Sequence, residues 1–161
     1  YYAFGAALSE VHVDGRTGEY HVEQVDILHD VGHSLNEAVD RGQIEGGFIQ
    51  GMGWLTTEEL LWNDAGRLMS ASPSTYKIPT AHDLPKIFNV SLFERANEAP
   101  TIYRSKAVGE PPLMLSISVW CALKDACASV CQYKGSPDLA VPATPEQVCW
   151  AMERAREFVD E

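Results

Sequence analysis

No stretch of this 161-residue chain stays apolar for the length a membrane span requires. The longest candidate, Leu113 to Val130, is interrupted by Lys124 and Asp125. Basic residues are scarce: 12 Lys and Arg stand against 23 Asp and Glu, a formal net charge of -11. So acidic a surface repels phosphate backbones and anionic lipid headgroups, so neither nucleic acid nor membrane is an expected partner. Cysteine is limited to Cys121, Cys127, Cys131 and Cys149, with no C-x-x-C pair. Zinc and iron–sulfur sites need several thiolates converging on one point. The pattern predicts buried, reduced thiols in a cytoplasmic protein instead. His12, His21, His29, His33 and His82 show no metal-ligand spacing on a helix, so no metal ligand is expected among them. Phosphate loops, dinucleotide fingerprints and G-x-S-x-G elbows are missing as well. No secretory leader is evident. The chain opens on Tyr1 rather than Met and already reads as strand, which suggests a fragment or a processed product.

Apolar residues make up 45% of the chain, enough to bury a core. Ala7 to Val13 alternates as a strand does, with Leu8, Val11 and Val13 as apolar markers. Asp14-Gly15-Arg16-Thr17-Gly18 supplies turn chemistry, and Tyr20 to Leu28 returns on Val22, Val25 and Ile27. His12 and His21 flank that turn and are expected to face solvent. Ser34-x-x-Glu37 has the form of a capping box and predicts a helix running towards Leu60. Gly42, Gly46, Gly47, Gly51 and Gly53 fall inside it, each costing on the order of 1 kcal/mol relative to Ala. The physical use of so many is close approach: another backbone or a flat ligand can lie against the helix. An irregular segment, Ser70 to Pro85, precedes a strand at Ile87 to Phe93. A long apolar helix is expected from Leu113 to Tyr133, stopped near Gly135. Thr144-Pro145-Glu146-Gln147 caps a last helix with Val148, Ala151, Met152, Ala155, Phe158 and Val159 as its apolar stripe. Hairpin, helix, irregular segment, strand, helix, helix is the order of a mixed α/β domain.

Glu110 is the sharpest candidate for chemistry. It stands between Gly109 and Pro111-Pro112, and a following proline pushes a residue towards extended backbone. A carboxylate held on a stiff corner before so apolar a run is expected to be partly desolvated, which suits a general base. The plainer reading is an acidic group favoured by a helix N-terminus. Gln43, at the head of the glycine-rich helix, carries an amide that donates and accepts, as recognition of a polar heterocycle requires; it could equally be a solvated surface residue. Arg104 and Lys106 could balance the charge of Glu110 or lie on the surface, and the residues alone do not choose.

Three segments resemble those of the molybdenum hydroxylases of the xanthine oxidase family. They are Gly42-Gln43-Ile44-Glu45-Gly46-Gly47-Phe48-Ile49-Gln50-Gly51-Met52-Gly53, Ser74-Thr75-Tyr76-Lys77-Ile78-Pro79, and Ser105-Lys106-Ala107-Val108-Gly109-Glu110-Pro111-Pro112-Leu113. Pro142-Ala143-Thr144-Pro145-Glu146 is similar to the start of that family's C-terminal helix. The likeness runs through nearly the whole chain in the right order. It implies the C-terminal portion of a molybdopterin-binding domain, a hairpin plus a strand with three helices, in which residues 1–161 are one segment of a larger subunit. It implies that Glu110 is the general base beside molybdenum, that the Gln43 amide and Gly109 contact the pterin, and that the helix glycines make room for cofactor and adjoining chain. The resemblance further implies 2Fe-2S clusters and FAD on other domains or subunits, NAD as the distal acceptor, and a purine substrate. The intact motifs favour the xanthine dehydrogenase branch over aldehyde oxidases. Substrate-gripping residues of that family lie upstream of Tyr1. The chain alone is therefore expected to hold no cofactor tightly and to be inactive; the competing readings are a cofactor-free structural module and a sibling activity such as nicotinate or aldehyde hydroxylation.

Overall fold

Residues 1–159 are described in the computed structural model of the chain. β1 (Gly5–Val13) and β2 (Tyr20–His29) form the antiparallel hairpin, and β3 (Ile87–Leu92) joins the far side of β2 in parallel. A parallel neighbour demands a crossover, and the connection from β2 to β3 runs through α1 (Glu37–Thr56). Opposite Glu10 and Val11 the register slips by one residue on β2. That bulge puts Val22 inward along with Val25 and Ile27, although a plain strand would turn Val22 away. Leu8 departs from expectation. It is one residue out of phase with Val11 and Val13, so it stands on the outer face, 72% exposed. His12 and His21 pair across the hairpin and are exposed.

The core lies between the inner sheet face and the helices. Val25 and Ile27 of β2 meet Ile44, Phe48 and Met52 of α1, a stripe at i, i+4, i+8. The same spacing in α2 (Ile117–Ser129) brings in Val119, Leu123 and Cys127, and α3 (Pro145–Glu157) adds Val148, Ala151 and Met152. The Phe48 ring packs on Phe88 of β3 with centroids 5.5 Å apart. Cys127 and Cys131 are buried thiols, and burial pushes the Cys127 thiol up to about 11. Cys121 is exposed and Cys149 half-buried, so the expected burial holds for only two of the four.

Several helix ends differ from the sequence reading. Asn36, not Ser34, caps α1: its Oδ1 accepts from the Val39 amide, while the Ser34 hydroxyl donates to Asp40 at 2.6 Å. Asn is as good a cap as Ser, and the later start leaves Ser34 free for Asp40. The helix stops at Thr56 rather than near Leu60, because the Thr57 and Glu58 amides both turn back to the Gly53 carbonyl. The long apolar helix is two pieces. Pro111–Ser116 is a 3-10 turn, and α2 proper ends at Ser129, closed by left-handed Gln132 and Tyr133. Gly135 is not the stop; a Cβ there would strike the Phe158 ring, so its role is close packing. Thr144 caps α3 as expected, with the Gln147 amide donating to its hydroxyl. The helix proper ends at Glu157, leaving Phe158 as its C-cap and Val159 just beyond, 41% exposed.

The glycines of α1 divide by face, and substitutions should separate them. A Cβ on Gly46 meets nothing within 4 Å, so Gly46→Ala should stabilise the chain by about 0.5–1 kcal/mol. On Gly51 a Cβ would collide with the Ser116 hydroxyl and the Leu113 carbonyl, so Gly51→Ala should destabilise it by about 1–3 kcal/mol. Urea unfolding of both variants checks the pair; equal effects would show that the faces do not differ.

Candidate functional site

The glycine face of α1 is a seat for backbone. Built onto Gly47, a Cβ would lie 3.3 Å from Pro112 Cβ and 3.5 Å from the Gly109 carbonyl oxygen. Gly51 receives the Leu113 carbonyl and Ser116, and the Ser116 hydroxyl donates back to that carbonyl at 2.7 Å. Gly53 serves a different neighbour. Pro79 packs on it, closing the segment that holds Ser74-Thr75-Tyr76-Lys77-Ile78-Pro79, and the Thr57 hydroxyl donates to the Lys77 carbonyl at 2.7 Å. Three interior glycines are thus explained by approaching chain. Gly42 and Gly46 are not: the space beside each is open.

Glu110 heads the seated turn. Its backbone is helical (φ -102°, ψ -39°), not extended as the following proline predicts. The reason is the turn itself: the Glu110 carbonyl accepts from the Leu113 amide at 3.1 Å, a bond an extended residue would lose. Desolvation is also not supplied by this chain, because Glu110 is exposed. Exposure does not carry it away from the glycine-rich helix. Gln43 Oε1 lies 3.4 Å from where a Gly109 Cβ would stand, so Gln43 and the Gly109–Glu110 corner share one lip of the molecule. Among the described residues, neither the Glu110 carboxylate nor the Gln43 amide hydrogen-bonds another group of the chain, and neither basic neighbour pairs with Glu110. Arg104 donates to the Asn97 carbonyl, and Lys106 turns inward. A free donor–acceptor amide, a free carboxylate and two bare helix glycines fit a flat polar heterocycle lying along the lip.

Lys106 is the residue sequence reasoning left open. Its ammonium is 2.5 Å from Asp30, with both side chains more than nine-tenths buried. It also donates to the Tyr2 carbonyl at 2.9 Å and stands 5.1 Å from the centre of the Phe4 ring. Removing one member of such a pair costs about 3–5 kcal/mol, since the other charge is left buried alone. Asp30 went unnoticed in the sequence. The signal was slight: an Asp two residues before Gly32, where its Oδ1 accepts the Gly32 amide at 2.8 Å, the pattern of an Asx turn. Nothing local pointed to a partner 76 residues on. A cavity of about 680 Å³ beside this pair, lined by Tyr1, Phe4, Leu28, Phe93, Arg95 and Lys106, contains neither Glu110 nor Gln43.

The small sheet with three helices is an architecture shared with molybdenum hydroxylases of known structure. The described architecture superposes on the Cu,Mo-CO dehydrogenase with a TM-score of 0.81 at 22% identity, covering 96% of this chain and 19% of that one. Quinoline 2-oxidoreductase from Pseudomonas putida 86 gives a TM-score of 0.78 at 28% identity, over 89% of this chain and 18% of its own. The family described as the molybdopterin cofactor-binding domain matches residues 1–85, a span that includes Gln43. Xanthine dehydrogenase 1 of Arabidopsis thaliana is 46% identical over 158 residues, 92% of this chain and 12% of that protein. Aldehyde oxidase 2 of Macaca fascicularis is 50% identical over 151 residues, 92% of this chain and 11% of its own. The chain belongs to the xanthine oxidase family of molybdenum hydroxylases, within its molybdopterin cofactor-binding domain. It spans about an eighth of the length of these curated relatives. Relatives of the xanthine and aldehyde branches match about equally well, so the preference expected from the motifs is not carried by overall similarity.

His29 ends β2 next to Asp30 and is 2% exposed, with neither ring nitrogen hydrogen-bonded among the described residues. Burial holds its pKa below the ordinary 6.5; Asp30 opposes that shift and Lys106 adds to it. The folded chain therefore binds this proton less readily than the unfolded chain. Stability should be full above about pH 6.5 and fall as the pH drops below it, as the unfolded state takes up the proton first. Urea midpoints between pH 8 and 5 check this, with His29→Phe expected to flatten the acidic limb; an unchanged limb would contradict it.

Proposed function

We propose that this chain is the C-terminal segment of the molybdopterin-binding catalytic domain of a xanthine dehydrogenase, hydroxylating hypoxanthine and xanthine towards urate with water as the oxygen source. The observation that carries the reading is the shared lip: the Gln43 amide of α1 meets the Gly109–Glu110 corner of a turn seated in helix glycines, and among the described residues neither Gln43 nor the Glu110 carboxylate is paired. When bound, the molybdenum cofactor supplies the two-electron acceptor for hydroxylation. Gln43 donates and accepts at the pterin, and Gly109 lets the ring system approach without a side chain in the way. Glu110 takes the proton from the attacking oxygen, and its freedom from Arg104 and Lys106 keeps its lone pairs available. Water is excluded and Glu110 desolvated by the remainder of the subunit, which also grips the purine. Electrons leave through 2Fe-2S clusters and FAD on other domains to NAD, and the enzyme is cytoplasmic.

Aldehyde hydroxylation is the second reading, favoured by the 50% identity to aldehyde oxidase 2 of Macaca fascicularis. The same base would serve it, since substrate choice rests on pocket contacts.

In the loaded enzyme, Glu110→Gln should lower kcat by about 10²–10⁴-fold with molybdenum content unchanged. Near-normal turnover would remove Glu110 from the mechanism, and kcat/KM for xanthine against aromatic aldehydes separates the two substrates. The 161-residue chain purified by itself should be colourless, free of molybdenum and without xanthine hydroxylation. Turnover by the chain alone would contradict the need for the rest of the subunit.

A further inference from the structure

Four ion pairs occur among the described residues, and three of them are surface pairs with substantially exposed side chains. Asp30–Lys106 alone is buried, at 8% and 9% side-chain exposure. A buried ion pair rarely stabilises more than apolar side chains of the same size would. What it adds is one allowed register, because every donor and acceptor has to be met. Here they are met from both sides. Lys106 reaches Asp30, the Tyr2 carbonyl and the Phe4 ring, while the other oxygen of Asp30 takes the Gly32 amide.

The pair also closes a backbone clamp. The Lys106 amide donates to the Val31 carbonyl at 2.8 Å and the His33 amide to the Arg104 carbonyl at 3.0 Å. Gly32 is left-handed (φ 65°), and a Cβ on it would lie 2.5 Å from the Arg104 carbonyl oxygen, so the two segments are pressed together. The Ala107 amide donates to the Tyr1 hydroxyl at 3.0 Å. From this clamp the chain reaches the Gly47 seat within a few residues. Only Ala107 and Val108 stand between Lys106 and Gly109, whose carbonyl oxygen lies 3.5 Å from where a Gly47 Cβ would stand. Glu110 lies at the end of that span.

We propose that the buried Asp30–Lys106 ion pair is the positioning element for Glu110: it fixes one end of the 106–112 segment to the end of β2, while Gly47 and Gly51 hold the other. The proposal rests on the reading of Glu110 as the general base. Asp30 and Lys106 are positioning residues and touch neither substrate nor cofactor. Turning Lys106 inward also keeps its ammonium from pairing with the carboxylate it positions.

The test uses the loaded holoenzyme. In the double variant Asp30→Asn with Lys106→Met, both charges go and no lone buried charge remains to unfold the domain. Its kcat should fall at least about tenfold, with KM within about threefold and molybdenum content unchanged. Hydrogen exchange of the Ala107 and Leu113 amides, both hydrogen-bonded here, should speed up about tenfold or more, measured on the resting enzyme without turnover. Lys106→Arg, which can still pair with Asp30, should keep most of kcat and the slow exchange. Wild-type kcat in the double variant would overturn the proposal, as would unchanged exchange. A double variant that fails to fold or comes out free of molybdenum would overturn it too, by showing that the pair holds the domain together. Glu110→Gln runs alongside. If that variant keeps its turnover, the general-base reading falls, and the exchange rates alone decide whether the pair fixes the segment.

Discussion

The contact of the Gly109–Ser116 turn with the bare face of α1 is the constraint on which the rest is arranged. Gly47 and Gly51 let two backbones approach closer than any side chain would permit. The adjoining face of the same helix carries Ile44, Phe48 and Met52 into the core, so α1 cannot rotate to relieve the contact. Each glycine lowers helix propensity, and the loss is offset by tertiary packing along the apolar stripe. The turn then continues directly into α2, whose Val119 and Leu123 are buried in that core. Glu110 is thus anchored through α2 on its C-terminal side as well as through Lys106 on its N-terminal side.

Electrostatics around the lip work by removal. Two cations sit within six residues of Glu110 in the sequence, yet one donates to the Asn97 carbonyl and the other is buried against Asp30. An ion pair at Glu110 would favour the charged carboxylate and weaken it as a proton acceptor. The fold keeps the carboxylate we propose as the base clear of both cations. Gln43 shares that freedom, one residue from Gly42 and three from Gly46, where the helix surface is bare.

Much of this was legible in the sequence, and the failures have physical reasons. Strands read correctly from Gly5 onward because turn residues and β-branched runs are local signals; residues 1–4, expected as strand, are irregular, and Leu8 misled because phase against a partner strand is not local. The glycine series signalled close approach, but not that Gly47 and Gly51 would take a turn while Gly42 and Gly46 stay open. Such a division depends on where a distant segment docks. Glu110 stands out through its glycine–proline setting, while its helical backbone was missed because a single hydrogen bond to Leu113 outweighs the proline's preference. Asp30 was invisible, since its meaning comes entirely from Lys106 across 76 residues.

The lip is exposed, and the chain spans about an eighth of its relatives' length; the function we propose needs the remainder of a subunit to complete the pocket. What this part contributes is a carboxylate, an amide and a bare helix face held in fixed relation. A crystal structure of the loaded enzyme tests that relation most directly. Gln43 is expected within hydrogen-bonding distance of the pterin, and the Glu110 carboxylate beside the molybdenum, with the turn still seated on Gly47 and Gly51. A cofactor bound away from this lip, with Glu110 in open solvent, would contradict it.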